Sequence, residues 1–308
     1  MPHDHSDHHH HHHHIDPDAG DAKVAWAIAV NMLLTLAQVV GGILSGSLAL
    51  IADALHNFSD AISLIIAFVA RKIARRPADT NMSFGYGRAE VVAALINYTT
   101  LVVIALYLGY EGVMRALDPQ PIAGWMVVSI ASIALVIDLV TAALTYRLSK
   151  ESMNIRAAFL HNLADALGSV AVIIAGFAVI VLGWDWVDPV VTLMIAGYIL
   201  WHVYAEIGGV IRVLMLGSPP GIHTEEVIEA ILKTPGVEGI HHLHLWQMEE
   251  SETALQAHVL IAESDLIKQT RIKQDIKQLL LDTFSISHTT LEFEYGDLIC
   301  ENPKLIGH

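Results

Sequence analysis

Cysteine is almost missing from this chain: of 308 residues only Cys300 carries a thiol, which excludes an internal disulfide framework and any Cys-rich zinc fold. Charge is scarce as well. Only 16% of the residues are Asp, Glu, Lys or Arg, where soluble domains carry about a quarter. Basic side chains are the rarer kind, 17 against 32 acidic ones, for a net charge of −15. From Gly217 onward there are 15 acidic and 6 basic side chains, a balance of −9, and such a surface repels nucleic acid and favours cations. The first 22 residues hold no Lys or Arg, unlike a secretory signal peptide, so the first apolar segment is expected to stay in the membrane. A Gly-rich phosphate loop is absent, and so are the H-E-x-x-H and G-x-S-x-G strings of zinc peptidases and serine hydrolases.

Long apolar runs take the place of charge. Hydrophobic residues make up 54% of the chain, and a hydrocarbon core about 30 Å thick needs roughly 20 of them per helical span. Six stretches qualify, at about 23–44, 47–70, 89–115, 124–147, 154–182 and 188–215. The expected architecture is an all-α membrane domain of six transmembrane helices over 23–216. It is followed by a C-terminal cytoplasmic α+β domain over 217–296 and a tail over 297–308. Near the span ends, ten basic residues (Lys23, Arg71, Lys72, Arg75, Arg76, Arg88, Arg147, Lys150, Arg156, Arg212) collect on one side against Arg115 on the other. Positive charge stays inside, which predicts that both termini are cytoplasmic.

Residues 1–22 contain nine of the 19 histidines, seven of them consecutive from His8 to His14. This low-complexity tail is expected to be disordered, and reads either as a purification tag or as a natural metal-collecting segment. After the breaker Ser218-Pro219-Pro220-Gly221 the pattern predicts a helix over Thr224–Leu232, capped by Thr224, and a strand over Val237–Trp246. A second strand over Ala254–Ile261, a helix over Asp265–Phe284 and a strand over His288–Tyr295 follow. The order α-β-β-α-β makes a small sandwich, whose modest core dimerisation would help.

Ionisable residues inside a membrane span are costly and mark function. The second span carries His56-Asn57-Phe58-Ser59-Asp60 and the fifth His161-Asn162-Leu163-Ala164-Asp165, the same H-N-x-x-D string twice. At i and i+4 both side chains leave one helix face. Two such helices offer two imidazoles and two carboxylates, a closed four-ligand shell suited to Zn²⁺. No Lys or Arg lies nearby in either span, so a metal or a proton must offset the acids. Asp53, one turn before His56, would either widen a metal exit path or bond Asn31 or Gln38. Asp138 in the fourth span would act as a proton relay, support a ligating His, or bond a neighbouring helix. His202 and Glu206 read as a structural pair.

These two helices, Ser47-Leu48-Ala49-Leu50-Ile51-Ala52-Asp53-Ala54 before the first of them, and the loop Phe84-Gly85-Tyr86-Gly87-Arg88-Ala89-Glu90 resemble the cation diffusion facilitator family over about 23–295. The resemblance implies a homodimeric metal/proton antiporter with a ferredoxin-like cytoplasmic domain, and a transport site at His56, Asp60, His161 and Asp165. It also implies zinc preference, with Cd²⁺, Co²⁺ or Ni²⁺ as secondary substrates. A further metal site is implied at His241, His258 and Glu292, with Glu294 in reserve; His223 and His288 are weaker candidates. Strand alternation places His242 and His244 on one face and His241 on the other. Leu216 stands where many members have an acid that interlocks the dimer. A short loop without histidines between spans four and five points to a bacterial plasma membrane. An intramembrane metalloenzyme, or a metal sensor or buffer, are the alternatives from other classes.

Overall fold

The computed structural model describes residues 32–146, 153–249, 252–262, 265–295, 300 and 303–307, without the side chains of residues 64, 144–146 and 153–162. The expected histidine-rich tail lies outside the described residues, as do Asn31, the loop residues 147–152 and the side chain of His161.

The membrane helices are α1 (Met32–Ser45, the described part of the first span), α2 (Leu48–Ala74), α3 (Ala89–Leu117), α4 (Gly124–Tyr146), α5 (Met153–Leu182) and α6 (Val187–Leu214). From α2 to α6 each is long and apolar enough to span a bilayer. Their apolar side chains face outward where a soluble protein would be polar: Ile133, Val136, Leu139 and Val140 of α4 are all exposed. Trp125, Trp184 and Trp186 are exposed at helix ends, the position aromatic residues take at a membrane interface. The chain forms two compact units, one made of residues up to Ala61 with Tyr107–Ala196, the other of Ile62–Leu106 with Gly197–His308.

In the first unit a core of small and branched residues, among them Ala49, Leu50, Val127, Ala131, Val172, Ala175 and Val191, joins α2, α4, α5 and α6. Small residues let membrane helices approach closely. A Cβ on Gly124 would come within 2.7 Å of the Gly176 carbonyl oxygen, so α4 and α5 meet backbone to backbone there. The turn before α2 passes through Gly46 at φ 74°, and Arg115 Nη1 donates to its carbonyl at 2.5 Å. Ser47 Oγ accepts from Leu50 N (3.1 Å), a side-chain cap of α2. Asp188 of α6 adds a second cap from a distant part of the sequence. One oxygen accepts from Ser47 Oγ, the other from Leu48 N (2.7 Å) and Ala49 N (3.1 Å). The opening N–H groups of α2 are thereby satisfied without water.

In the second unit the cytoplasmic part runs α7 (Thr224–Leu232), β1 (Val237–Gln247), β2 (Thr253–Ile261), α8 (Leu266–Phe284) and β3 (His288–Glu294). The sheet order is β1-β2-β3, antiparallel between β1 and β2 and parallel between β2 and β3. Val227, Ile231, Ile276 and Leu280 of the helices pack on Leu245, Leu255, Val259 and Leu291 of the sheet. The bounds match expectation within a residue, except that His223, not Thr224, occupies the cap of α7, without a side-chain bond. α8 is capped by Asp265, which accepts from Ile267 N. α6 ends with Leu216 at φ 58° and Gly217 N donating to Arg212 O (2.8 Å), a left-handed helix stop that usually uses glycine.

Alternation along β1 is broken. Pairing jumps from His241↔His258 to His244↔Gln256, so β1 carries one extra residue, a β-bulge. His242 sits in it at φ 49°. His241 and His244 therefore share the face of His258 and Gln256, contrary to the expected split. Residues of the C-terminal tail lie along the outer edge of β1: His242 N donates to Lys304 O (2.8 Å), Leu243 N to Leu305 O (3.1 Å) and Gly307 N to Leu243 O (3.4 Å).

Candidate metal centres

The first centre belongs to the first unit. α2 holds His56 and Asp60 one turn apart, with His56 Nε2 3.8 Å from Asp60 Oδ2. α5 brings Asp165 Oδ1 to 3.5 Å from the same nitrogen. One donor atom from each of the three lies within 4.8 Å of the others. His161 is on α5 one turn before Asp165; its side chain is outside the described ones. A tetrahedral ion with bonds of about 2.0–2.2 Å spaces its ligands by about 3.3–3.6 Å; the 3.5 Å separation falls in that range and the 3.8 Å one just beyond it. The side chains are mostly shielded, between 9% and 26% exposed, with no Lys or Arg between Lys23 and Arg71 or between Arg156 and Arg212.

Two further acids flank them. Asp53 is buried and accepts from Gln38 Nε2 at 2.6 Å, while Gln38 Oε1 accepts from Asn57 Nδ2 at 3.3 Å. The helix contact with Gln38 expected for Asp53 is present. A Cβ on Gly168 would stand 3.3 Å from Asp53 Oδ1, so α5 comes close to this acid where it has no side chain. Asp138 accepts from Ser169 Oγ at 3.3 Å, a link from α4 to α5. His202 and Glu206 are exposed on α6, outside the cluster.

The second centre lies on the sheet face opposite the cytoplasmic helices. His241, His258 and Glu292 sit side by side across the three strands. The ring centroids of His241, His242 and His258 lie 5.0–5.3 Å from one another. Glu294, buried, occupies the middle: His258 Nδ1 donates to its Oε1 at 2.6 Å, Cys300 Sγ donates to the same oxygen at 3.2 Å, and Cys300 N donates to Oε2 at 3.3 Å. His241 Nε2 is 3.1 Å from Oε2. Burial alone would push the Glu294 carboxyl up, but the bonds from His258 and Cys300, with His241 beside them, hold it down at about 2. The bond to Glu294 keeps the proton on Cys300 and raises the thiol. Glu292 reaches His258 Nε2 at 3.5 Å from the exposed side. The donors that come within 4.8 Å of one another are His241, His242, His258 and Cys300. His242 and Cys300 are absent from the set implied by resemblance. His223 and His288 are exposed and stand apart.

Residues 24–215 match the family description "Cation efflux transmembrane domain", and residues 219–295 match "Cation efflux protein, cytoplasmic domain". The chain belongs to the cation diffusion facilitator family. It is an integral membrane transporter, not an enzyme. The chain is 33% identical over 292 residues to the metal cation efflux system protein CzcD of Cupriavidus metallidurans, covering 95% of this chain and 92% of that one. It is 36% identical over 260 residues, 83% of each chain, to the cadmium, cobalt and zinc/H⁺-K⁺ antiporter of Bacillus subtilis. To the zinc transporter ZitB of Pectobacterium atrosepticum it is 34% identical over 281 residues, 90% of this chain and 87% of the relative. The chain spans 83–92% of the length of these three relatives.

Proposed function

We propose that the protein exports divalent transition-metal ions, zinc foremost, from the cytoplasm in exchange for protons, using His56, Asp60, His161 and Asp165 as the transport site. The reading rests on the convergence of His56, Asp60 and Asp165 from two non-consecutive helices, with donor atoms within 4.8 Å of one another and no Lys or Arg between Lys23 and Arg71 or between Arg156 and Arg212. Relatives named for zinc, cadmium and cobalt support the cargo, and one named an H⁺-K⁺ antiporter supports the counter-ion. Cd²⁺, Co²⁺ and Ni²⁺ are secondary substrates on this reading.

Facing the cytoplasm, the site takes the ion as the imidazoles give up protons, because only a neutral ring nitrogen can ligate. Facing outward, protons return to the same atoms and compete the ion off. One set of donors thus couples metal leaving to protons entering, without ATP. Asp138 and Asp53 stand beside this exchange as proton-carrying groups, held to Ser169 and Gln38. A dimer in a bacterial plasma membrane, with both termini inside, places 217–296 in the cytoplasm. There His241 and His258, with Glu292 or Glu294, form a regulatory zinc site. The test is proton flux in proteoliposomes driven by each divalent cation in turn, with and without K⁺. Zinc uptake that moves no protons would refute the exchange.

A further inference from the structure

We infer that the C-terminal segment completes the cytoplasmic metal site: Cys300 and the bulge residue His242 join His241 and His258 as ligands of a thiophilic divalent cation, zinc or cadmium. Binding then clamps residues 303–307 to the edge of β1. This rests on the reading that the cytoplasmic domain binds metal, and adds to it the donor set and a task for a segment beyond the family's matched region.

Four donors from three places in the sequence meet within 4.8 Å. A knot of hydrogen bonds accounts for part of this, since Glu294 serves His258 and Cys300. It does not account for His241, whose side chain is 8% exposed and whose Nε2 has no hydrogen-bond partner. At 3.1 Å from Glu294 Oε2 that nitrogen is close but misaligned, and it points into the cluster. A buried ring nitrogen left this way is unfavourable; a metal would use it.

The backbone also serves the cluster. Without the bulge His242 would lie on the helix-packed face of the sheet; with it, the ring stands 5.0 Å from that of His258. The tail fixes the bulge, because the His242 N–H is taken by Lys304. Ligand and scaffold are therefore tied at two points, Cys300 by its side chain and His242 by its backbone. Glu294 holds His258 and Cys300 together by hydrogen bonds until the ion arrives. As the sulfur–metal bond forms, the thiol proton passes to solvent and the bond from Sγ to Glu294 is given up. Three imidazoles and one thiolate form a tetrahedral set suited to zinc, and the sulfur favours softer ions.

Because Cys300 is the only cysteine, sulfur ligation can be read in the whole protein. Full-length protein in detergent is titrated with Co²⁺ and followed for sulfur-to-cobalt charge-transfer absorption, which the N-terminal histidines and the transport site cannot produce. Wild type is expected to show the band, Asp60→Asn to keep it and Cys300→Ser to lose it. Zinc should slow alkylation of Cys300 by about tenfold or more, since a metal-held thiolate is a poor nucleophile. No band together with unchanged alkylation would overturn tail closure. Equilibrium dialysis of the double variant His241→Ala/His258→Ala separates the two ideas. Loss of one bound ion without a band in wild type removes only Cys300. An unchanged ion count removes the cytoplasmic site altogether.

Discussion

His56 Nε2 on α2 stands closer to Asp165 Oδ1 on α5, at 3.5 Å, than to Asp60 Oδ2 one turn along its own helix, at 3.8 Å. The centre thus spans two helices, and a change in their separation alters its grip on an ion. Either carboxylate should be indispensable. Asp60→Asn and Asp165→Asn are expected to abolish zinc transport in proteoliposomes while leaving the protein folded and monodisperse, since an amide is easier to bury than a charge. Transport above about a tenth of wild type in either variant would remove that residue from the site.

Selectivity should follow the nitrogen. His56→Asp replaces an imidazole by an oxygen donor, which suits harder and larger ions with looser geometry. The zinc-over-cadmium and zinc-over-manganese ratios of initial rate should fall by about tenfold, equivalent to about 1–2 kcal/mol. Ratios equal to wild type in an active variant would make His56 a neighbour rather than a ligand.

The buried bond between Gln38 and Asp53 should be felt as stability. Gln38→Leu removes the donor 2.6 Å from Asp53 Oδ2 and leaves that oxygen buried, a loss of about 1–3 kcal/mol. Thermal unfolding in detergent should show a lower midpoint, and Asp53→Asn should lose less. An unshifted midpoint in Gln38→Leu would mean that other groups hold Asp53.

Acid should loosen the loop between α2 and α3. The Asp79 carboxyl accepts from the Tyr86 hydroxyl (2.7 Å) and from the N–H groups of Asn81 (2.8 Å) and Met82 (2.9 Å), and these bonds lower it below its ordinary 3.8, that from Tyr86 most. A carboxylate lowered by folding stabilises fully above its unfolded value, and the gain is lost as pH falls through the folded one. Hydrogen-exchange protection of Asn81 and Met82, corrected for intrinsic rate, should be full at pH 6 and decline as pH is lowered step by step below the ordinary 3.8, with Asp79→Ala weak throughout. Protection in Asp79→Ala equal to wild type at pH 6 would show that the charge does not hold the turn.

The membrane helices, and the meeting of His56 and Asp60 with Asp165, were legible because span length and the repeated H-N-x-x-D string are local signals. So were the cytoplasmic elements, where Pro235-Gly236 and the apolar periods mark each end. Contacts between distant parts of the chain were not. Nothing near Asp188 announces that it caps α2, and Cys300 read as a number of thiols, not as a position. The bulge did leave a trace. Ile240 and Leu243 are both apolar and three apart, so a regular strand cannot turn both inward. Either one faces away or an extra residue intervenes, and strict alternation overlooked the second possibility.

That extra residue can be counted out again. Between the pairs His241↔His258 and His244↔Gln256, β1 has two residues where β2 has one. Deleting His242 would let Leu243 oppose Ala257 and keep Ile240, Leu243 and Leu245 facing inward, so the hydrophobic layer is indifferent to its presence. A lineage could therefore gain or lose this imidazole by a single codon without rebuilding the domain. On the reading that His242 is a ligand, the metal affinity of the cytoplasmic part can change without a change of fold.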